Sequence, residues 1–168
     1  ETPSTEFCRK FVGGKGFGGY YLAQCAALEF DDPDMAVCIF TGPLVGTITP
    51  TSGRSHITSK SPQTGLVGDA SVGGKLGTRL KRAGWDGIVI TGKSTSLTGI
   101  EIRDRDIEFK DAEPFKGLDT QTVHDRIKPG KSSLAVVGPA AENGVRYASV
   151  TVDRHFSAGR TGLGLSLA

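Results

Sequence analysis

Apolar and polar positions along this chain fall into short blocks, and most of the blocks read as strands. Met35-Ala36-Val37-Cys38-Ile39-Phe40 is a compact apolar strand ended by Thr41-Gly42-Pro43. His56-Ile57-Thr58-Ser59-Lys60 alternates, and Ser61-Pro62-Gln63-Thr64-Gly65 after it reads as a turn. Gly87 to Gly92 predicts a buried strand. Leu97 to Arg103 and Ile107-Glu108-Phe109 alternate around the turn-like Asp104-Arg105-Asp106, the pattern of a hairpin. Ser132 to Gly138 predicts a further buried strand, and Arg146 to Val152 an alternating one.

Helical periodicity is confined to short stretches. Tyr20 to Leu28 carries apolar positions that suit a helix. Leu76 to Ala83 makes about two turns, with Leu76 and Leu80 inward, Arg79, Lys81 and Arg82 outward, and Gly84 as the stop. Asp119 is placed to N-cap a helix over Thr120 to Ile127. Strands dominate and no regular strand–helix–strand repeat appears. The pattern therefore predicts an α+β fold, mainly antiparallel sheets with short helices, built as one domain over residues 1–168.

Composition narrows the partners. At 37% hydrophobic and 23% charged residues the chain has the balance of a soluble globular protein. A net charge of +2 with scattered basic residues argues against nucleic acid. No apolar run reaches membrane-span length and no signal peptide precedes the fold, so no membrane partner is expected. The three cysteines, Cys8, Cys25 and Cys38, are widely spaced and never form CxxC. They read as reduced thiols of a cytoplasmic protein and argue against an iron–sulfur or zinc site made by this chain alone.

Glycine changes the picture. The chain holds 24 glycines in 168 residues, against a usual share of about 7%. They sit inside structured segments, which favours tight turns and close backbone approaches over linkers. They are dense in Thr51 to Gly92, where a loop ending in Arg54 and a polar strand precede Gly65, Gly68, Gly73, Gly74 and Gly77 on the approach to the basic helix. A second such segment, Asp153 to Gly164, follows a strand and carries Arg154 and Arg160. Two segments of this kind on one sheet can form the sides of an anion-binding cleft, with backbone N–H groups and the forks of Arg54 or Arg160 as donors. A third glycine cluster, GGKGFGG at 13–19, fits GxGxxG through Gly14, Gly16 and Gly19. It lacks the strand before it and the βαβ unit after it, so close helix–sheet packing is the better reading and dinucleotide binding the weaker one.

Catalytic groups are sparse. His56, His124 and His155 are the only histidines. His56 and His155 stand beside the glycine-rich loops where either could touch a ligand, while His124 falls on the polar side of a short helix. No GxSxG elbow, P-loop or HExxH occurs. Glu142-Asn143 reads as a polar turn that satisfies backbone groups. No complete catalytic constellation is present, and both ends of the chain read as cut from something larger.

The ordered stretches GGKGFGGYYLAQ, FTGPLVGT, SGRSHITSKSPQTG, LKRAGWDGIVITGK, VVGPAAENGVRYASV and SAGRTGLG resemble the amino-terminal domain of the aldehyde:ferredoxin oxidoreductase family over about Val12 to Gly164. The resemblance implies a sheet base beneath a tungsten, or sometimes molybdenum, bis-pterin cofactor, with a nearby [4Fe-4S] cluster supplied by domains that this chain lacks. It implies oxidation of aldehydes to carboxylic acids, with ferredoxin taking the electrons; a related branch reduces aromatic coenzyme A thioesters. By motif, Arg54 matches a cofactor-contacting arginine, and Ser71, Gly73 and Gly74 occupy the family's Asn-Ser-Gly-Gly turn. Ser157, Ala158, Gly159 and Arg160 match its Ala-Ala-Gly-Arg loop. Backbone carbonyls of Ser71 and Ser157 would then hold a magnesium ion bridging the pterin phosphates.

The sequence also departs from that pattern. Ser71 stands where asparagine is usual, Phe156 replaces an arginine, and Thr161 replaces a glycine. The usual opening hairpin and closing strand are mostly missing. The implied chain is a cofactor-binding domain or subunit that is not catalytically complete alone, partnered by the cluster-bearing domains, with homo-oligomerisation left open. Its alternatives are a structural or assembly subunit of the same fold, or part of an aromatic acyl-CoA reductase.

Overall fold

The computed structural model describes residues 2–168. Helices α1 (Thr5–Phe11) and α2 (Lys15–Gln24) open the chain, followed by strands β1 (Val37–Thr41), β2 (Ser55–Lys60) and β3 (Val67–Val72). Helix α3 (Leu76–Arg82) leads to β4 (Gly87–Ile90) and the pair β5 (Thr98–Arg103) and β6 (Asp106–Asp111). Then come α4 (Thr120–Ile127), β7 (Ala135–Val136), α5 (Pro139–Glu142), β8 (Val150–Val152) and β9 (Phe156–Ala158). Every strand pairing is antiparallel. The α+β class with short helices holds.

Three layers form around β1. The central sheet runs β3-β2-β1-β4, and β7-β8-β9 makes a second sheet. Val37 and Ile39 face the second sheet, in one core with Ile57, Val72, Val150, Val152 and Leu163. Cys38 and Phe40 face the other way, towards Phe17 and the aromatic rings of α1 and α2. Strand β1 is thus buried on both faces, which is why it reads as a continuous apolar run instead of an alternation. Burial and the nearby Cys25 push the Cys38 thiol up to about 12.

The first glycine cluster is explained by packing. Gly14 has φ +50° before α2, a Cβ on Gly16 would lie 2.0 Å from Phe11 O, and one on Gly18 would lie 2.7 Å from Thr58 Oγ1. The corner between α1 and α2, and the seating of α2 on β2, need those small residues. The stretch before the cluster is helix α1, capped by the Ser4 hydroxyl that accepts from Phe7 N at 3.1 Å.

Five local expectations change: the helix expected over Tyr20 to Leu28 runs Lys15–Gln24 and takes in part of the glycine cluster, and four strands differ. Val67–Val72 is a full strand where the sequence suggested a glycine-rich approach. Its inward position at Gly68 faces Thr161 and Leu163 too closely for a side chain, so the apolar alternation is hidden. Strand β4 is a half-buried edge strand with Val89 39% exposed, because nothing pairs beyond it. Only Ala135–Val136 of the stretch 132–138 is strand, since Ser133 Oγ and Leu134 N donate to Asp153 Oδ1 instead. Only Val150–Val152 of the stretch 146–152 is strand: Gly162 and Gly164 pack directly on the backbone of Arg146 and Ser149. The β5–β6 hairpin forms as expected, with Ile100 opposite Phe109 and Ile102 opposite Ile107.

No helix among the described residues is long and apolar enough to cross a membrane.

Candidate functional site: two loops beside the central sheet

Strand pairing from Ser55↔Val72 to Lys60↔Val67 gives the site a rigid base. Arg54 leads into β2, and its guanidinium reaches across to β3. Nε donates to Ser71 Oγ and Nη2 to Ser71 O, each at 2.8 Å. The arginine is exposed, and this pair of hydrogen bonds holds the planar fork in one orientation while Nη1 has no partner among the described residues. Arg54 and Ser71, 17 positions apart, are one unit.

The turn after β3 carries Gly73 and Gly74, and the second loop closes onto it. A Cβ on Gly73 would lie 2.8 Å from Phe156 Cδ1, and one on Gly74 2.8 Å from Asp153 Oδ2 and 3.1 Å from Phe156 Cδ2. Glycine is required at both places because the Phe156 ring lies over this turn. The Asp153 carboxylate fastens the loops together: Oδ2 accepts from Lys75 N at 2.6 Å, and Oδ1 from Ser133 Oγ at 2.7 Å and Leu134 N at 3.2 Å. Asp153 and Arg154 are both in the left-handed region, φ +47° and +69°, where non-glycine residues are uncommon and often mark functional turns.

Past that turn, Ser157, Gly159 and Arg160 are exposed. Ala158 is not: the whole residue, backbone included, is 1% exposed in the core and offers a ligand almost no surface. Thr161 has φ +66°, and Ser61 Oγ donates to its carbonyl at 2.7 Å, which ties this loop to the turn after β2. Arg54 and Arg160 have no ion-pair partner among the described residues. No group of three or more His, Cys, Asp or Glu side chains among them is arranged to hold a metal. A cation here would rest on backbone carbonyls, and that of Ser71 already accepts one bond from Arg54.

The arrangement suits a phosphate-bearing ligand. It offers two unpaired guanidinium groups, backbone brought close by glycines, and a base stiffened by strand pairing. Phe156, 45% exposed, puts an aromatic ring where the expected pattern has a charge.

Other candidates are placed differently. His56 Nδ1 lies 3.2 Å from Asp69 Oδ1, whose other oxygen meets Lys15 Nζ at 3.0 Å. His56, opposite Ser71 in the strand register, therefore belongs to a small charged network beneath the first glycine cluster. His155 is exposed. Glu142 Oε2 accepts from Gly117 N at 2.8 Å, the backbone-satisfying role expected of it. The Asp153 fastening was missed from the sequence. An Asp before a loop of small residues was its only signal, and its partners, Lys75 and Ser133, lie 78 and 20 positions away.

Fold and loops together define a mixed α+β domain of antiparallel sheets with two glycine-rich segments fastened side by side. Residues 1–168 match the family described as aldehyde ferredoxin oxidoreductase, N-terminal domain, and the chain belongs to that family. It is 39% identical to a tungsten-containing aldehyde ferredoxin oxidoreductase of Pyrococcus horikoshii, over 98% of this chain and 28% of that protein. Against the aliphatic sulfonate oxidoreductase, WOR-like subunit, of Pyrococcus furiosus, identity is 30% over 96% of this chain and 29% of the relative. Among solved structures, the active site complex BamBC of benzoyl coenzyme A reductase with 1,5-dienoyl-CoA superposes at TM-score 0.92 and 28% identity. That match covers 99% of this chain and 26% of the other. The chain thus spans just over a quarter of the length of these relatives.

Proposed function

We propose that this chain is the cofactor-cradling part of a tungsten (or molybdenum) bis-pterin oxidoreductase that oxidises aldehydes to carboxylic acids with ferredoxin as electron acceptor. The observation that carries this reading is the Arg54–Ser71 unit standing beside the Gly73–Gly74 turn, with the Ser157–Arg160 loop fastened to that turn through Asp153. In this reading Arg54 and Arg160 hold pterin phosphates. Ser71, Gly73, Gly74, Ser157 and Gly159 would present backbone to the cofactor, with Ala158 anchoring their segment in the core, and the Ser71 and Ser157 carbonyls would take a magnesium ion. A carbonyl oxygen has two lone pairs, so the Ser71 bond from Arg54 leaves room for the ion.

This chain binds and orients; it moves no proton. When bound, the cofactor supplies two-electron oxidation chemistry, and the acid–base groups, the [4Fe-4S] cluster and the ferredoxin contact come from partner domains. Arg54, held at two atoms by Ser71, would offer its remaining N–H groups to a phosphate in one fixed orientation. Phe156 excludes water from the Gly73–Gly74 turn without adding charge. A cytoplasmic location fits three free cysteines.

The test is metal and pterin analysis of the complete assembly, with its ultraviolet–visible spectrum. Stoichiometric tungsten or molybdenum with pterin is expected; their absence sinks the reading and leaves a structural subunit of the same fold. The likeness to the BamBC complex favours a second reading, reduction of aromatic coenzyme A thioesters. Assaying one preparation with an aldehyde plus ferredoxin, and with an aromatic acyl-CoA, separates the two.

A further inference from the structure

A cavity of about 460 Å3 lies on the flank of the cradle, between the end of α4 and the loops at Lys75 and Asp153. Its charged lining consists of Lys75, Lys128 and Arg154 with Asp125 and Asp153, and the His124 imidazole lies among them. Both carboxylates are already committed. Asp153 accepts three hydrogen bonds, from Lys75 N, Ser133 Oγ and Leu134 N. Asp125 is paired with Arg154. The side chains of Lys75, Lys128 and His124 have no partner among the described residues. Those donors to Asp153 are neutral and leave its charge in place, so the three cations Lys75, Lys128 and Arg154 against the two carboxylates give the cavity a net positive charge.

Lys128 alone would prove little, because it is the C-cap of α4, where a cation answers the helix dipole. Lys75 has no such explanation. It sits before α3, at the end of that helix where a positive charge is unfavourable. The volume falls within the range of small-ligand sites, about 300–1,000 Å3, and is too small for a folded partner. Two exposed, unpaired ammonium groups beside an imidazole suit a compact, multiply charged oxyanion.

We propose that this cavity is a second anion site, separate from the cradle, that takes a small phosphate or phosphate ester. It also bears on the cradle. Lys75 directly follows the Gly73–Gly74 turn, Arg154 precedes Phe156, and Asp153 joins the two segments. An anion held between Lys75 and Lys128 ties the Gly73–Gly74 turn to the end of α4, so binding here and cofactor retention in the cradle reinforce each other, by linkage in both directions.

The experiment is calorimetric titration of inorganic phosphate, and separately of malonate, into the full-length cofactor-loaded protein at constant ionic strength. Saturable phosphate binding is expected. It should weaken about tenfold or more in the Lys75→Met/Lys128→Met variant and recover in Lys75→Arg/Lys128→Arg. Absence of saturation, or equal affinity in the methionine variant, overturns the proposal. Malonate binding as tightly as phosphate overturns the phosphate assignment. Failure of both lysines to react with an amine-acylating reagent in the phosphate-free protein overturns it too, since a protein segment then covers the cavity. Metal and pterin content is read separately. A protein without cofactor sinks the proposed function while leaving the titration interpretable.

Discussion

At the residue scale, glycine decides how closely segments of this chain approach one another. A Cβ on Gly162 would lie 1.8 Å from the Arg146 carbonyl oxygen, and its φ of +77° is itself costly for other residues. Gly65 has a similar φ of +68° but nothing within 4 Å. Gly162→Ala is therefore expected to cost about 3 kcal/mol, and Gly65→Ala about 1 kcal/mol, in denaturant unfolding. The difference isolates the backbone contact from the dihedral strain; equal costs would show that the loop at Gly162 moves aside freely. The same reasoning explains why GGKGFGG imitates a nucleotide fingerprint. Gly14, Gly16 and Gly18 serve a helix corner and a helix–sheet contact, neither of which needs a ligand, while Gly19 faces open space.

At the element scale, α4 is the clearest case of local sequence specifying structure. Asp119 accepts from Gln121 N and Thr122 N, both at 3.0 Å, and from Thr122 Oγ1 at 2.6 Å. These bonds, led by that of the Thr122 side chain, hold its carboxyl below the usual aspartate value. A depressed folded-state value means the cap stabilises above the ordinary aspartate range and loses that contribution as pH falls through the folded value. Asn caps nearly as well and does not titrate. The Tm of the native protein relative to Asp119→Asn is thus expected to fall on acidification from about pH 6 to about pH 3. A pH-independent difference would show that the carboxylate's charge contributes nothing. The β7 and β8 strands are the opposite case, cut short by contacts from Asp153, Gly162 and Gly164 that their own residues do not announce.

At the scale of the whole molecule, the open question is how firmly the cradle holds its ligand. Phe156 covers the Gly73–Gly74 turn with a ring 45% exposed. Phe156→Arg exchanges that cover for a third guanidinium facing the same loops. One added charge-assisted hydrogen bond predicts about tenfold slower loss of pterin during dialysis of the full-length protein. Unchanged loss would mean that Phe156 lies outside phosphate reach. Stability should change little, because the ring is not part of the core shared by the two sheets.

Much of this architecture was legible before any coordinates. Strand periodicity over His56–Lys60 and around Asp104, the cap at Asp119 and the stop at Gly84 all depend on neighbours within a few residues, and they appear where expected. The family was legible too, because ordered loop motifs along the chain constrain far more than one glycine pattern. By itself, the sequence determined the class of fold, the α4 cap and the two loops worth watching. Tertiary structure alone decided that Gly68 belongs to a strand, that β1 is covered on both faces, and that Asp153 joins Lys75 to Ser133. Only the assembled fold showed that Lys75 and Lys128 share one cavity. The reason is distance along the chain: Asp153 meets Lys75 across 78 positions and Ser61 meets Thr161 across 100. Local propensity carries no record of partners that far away, and only folding brings them together.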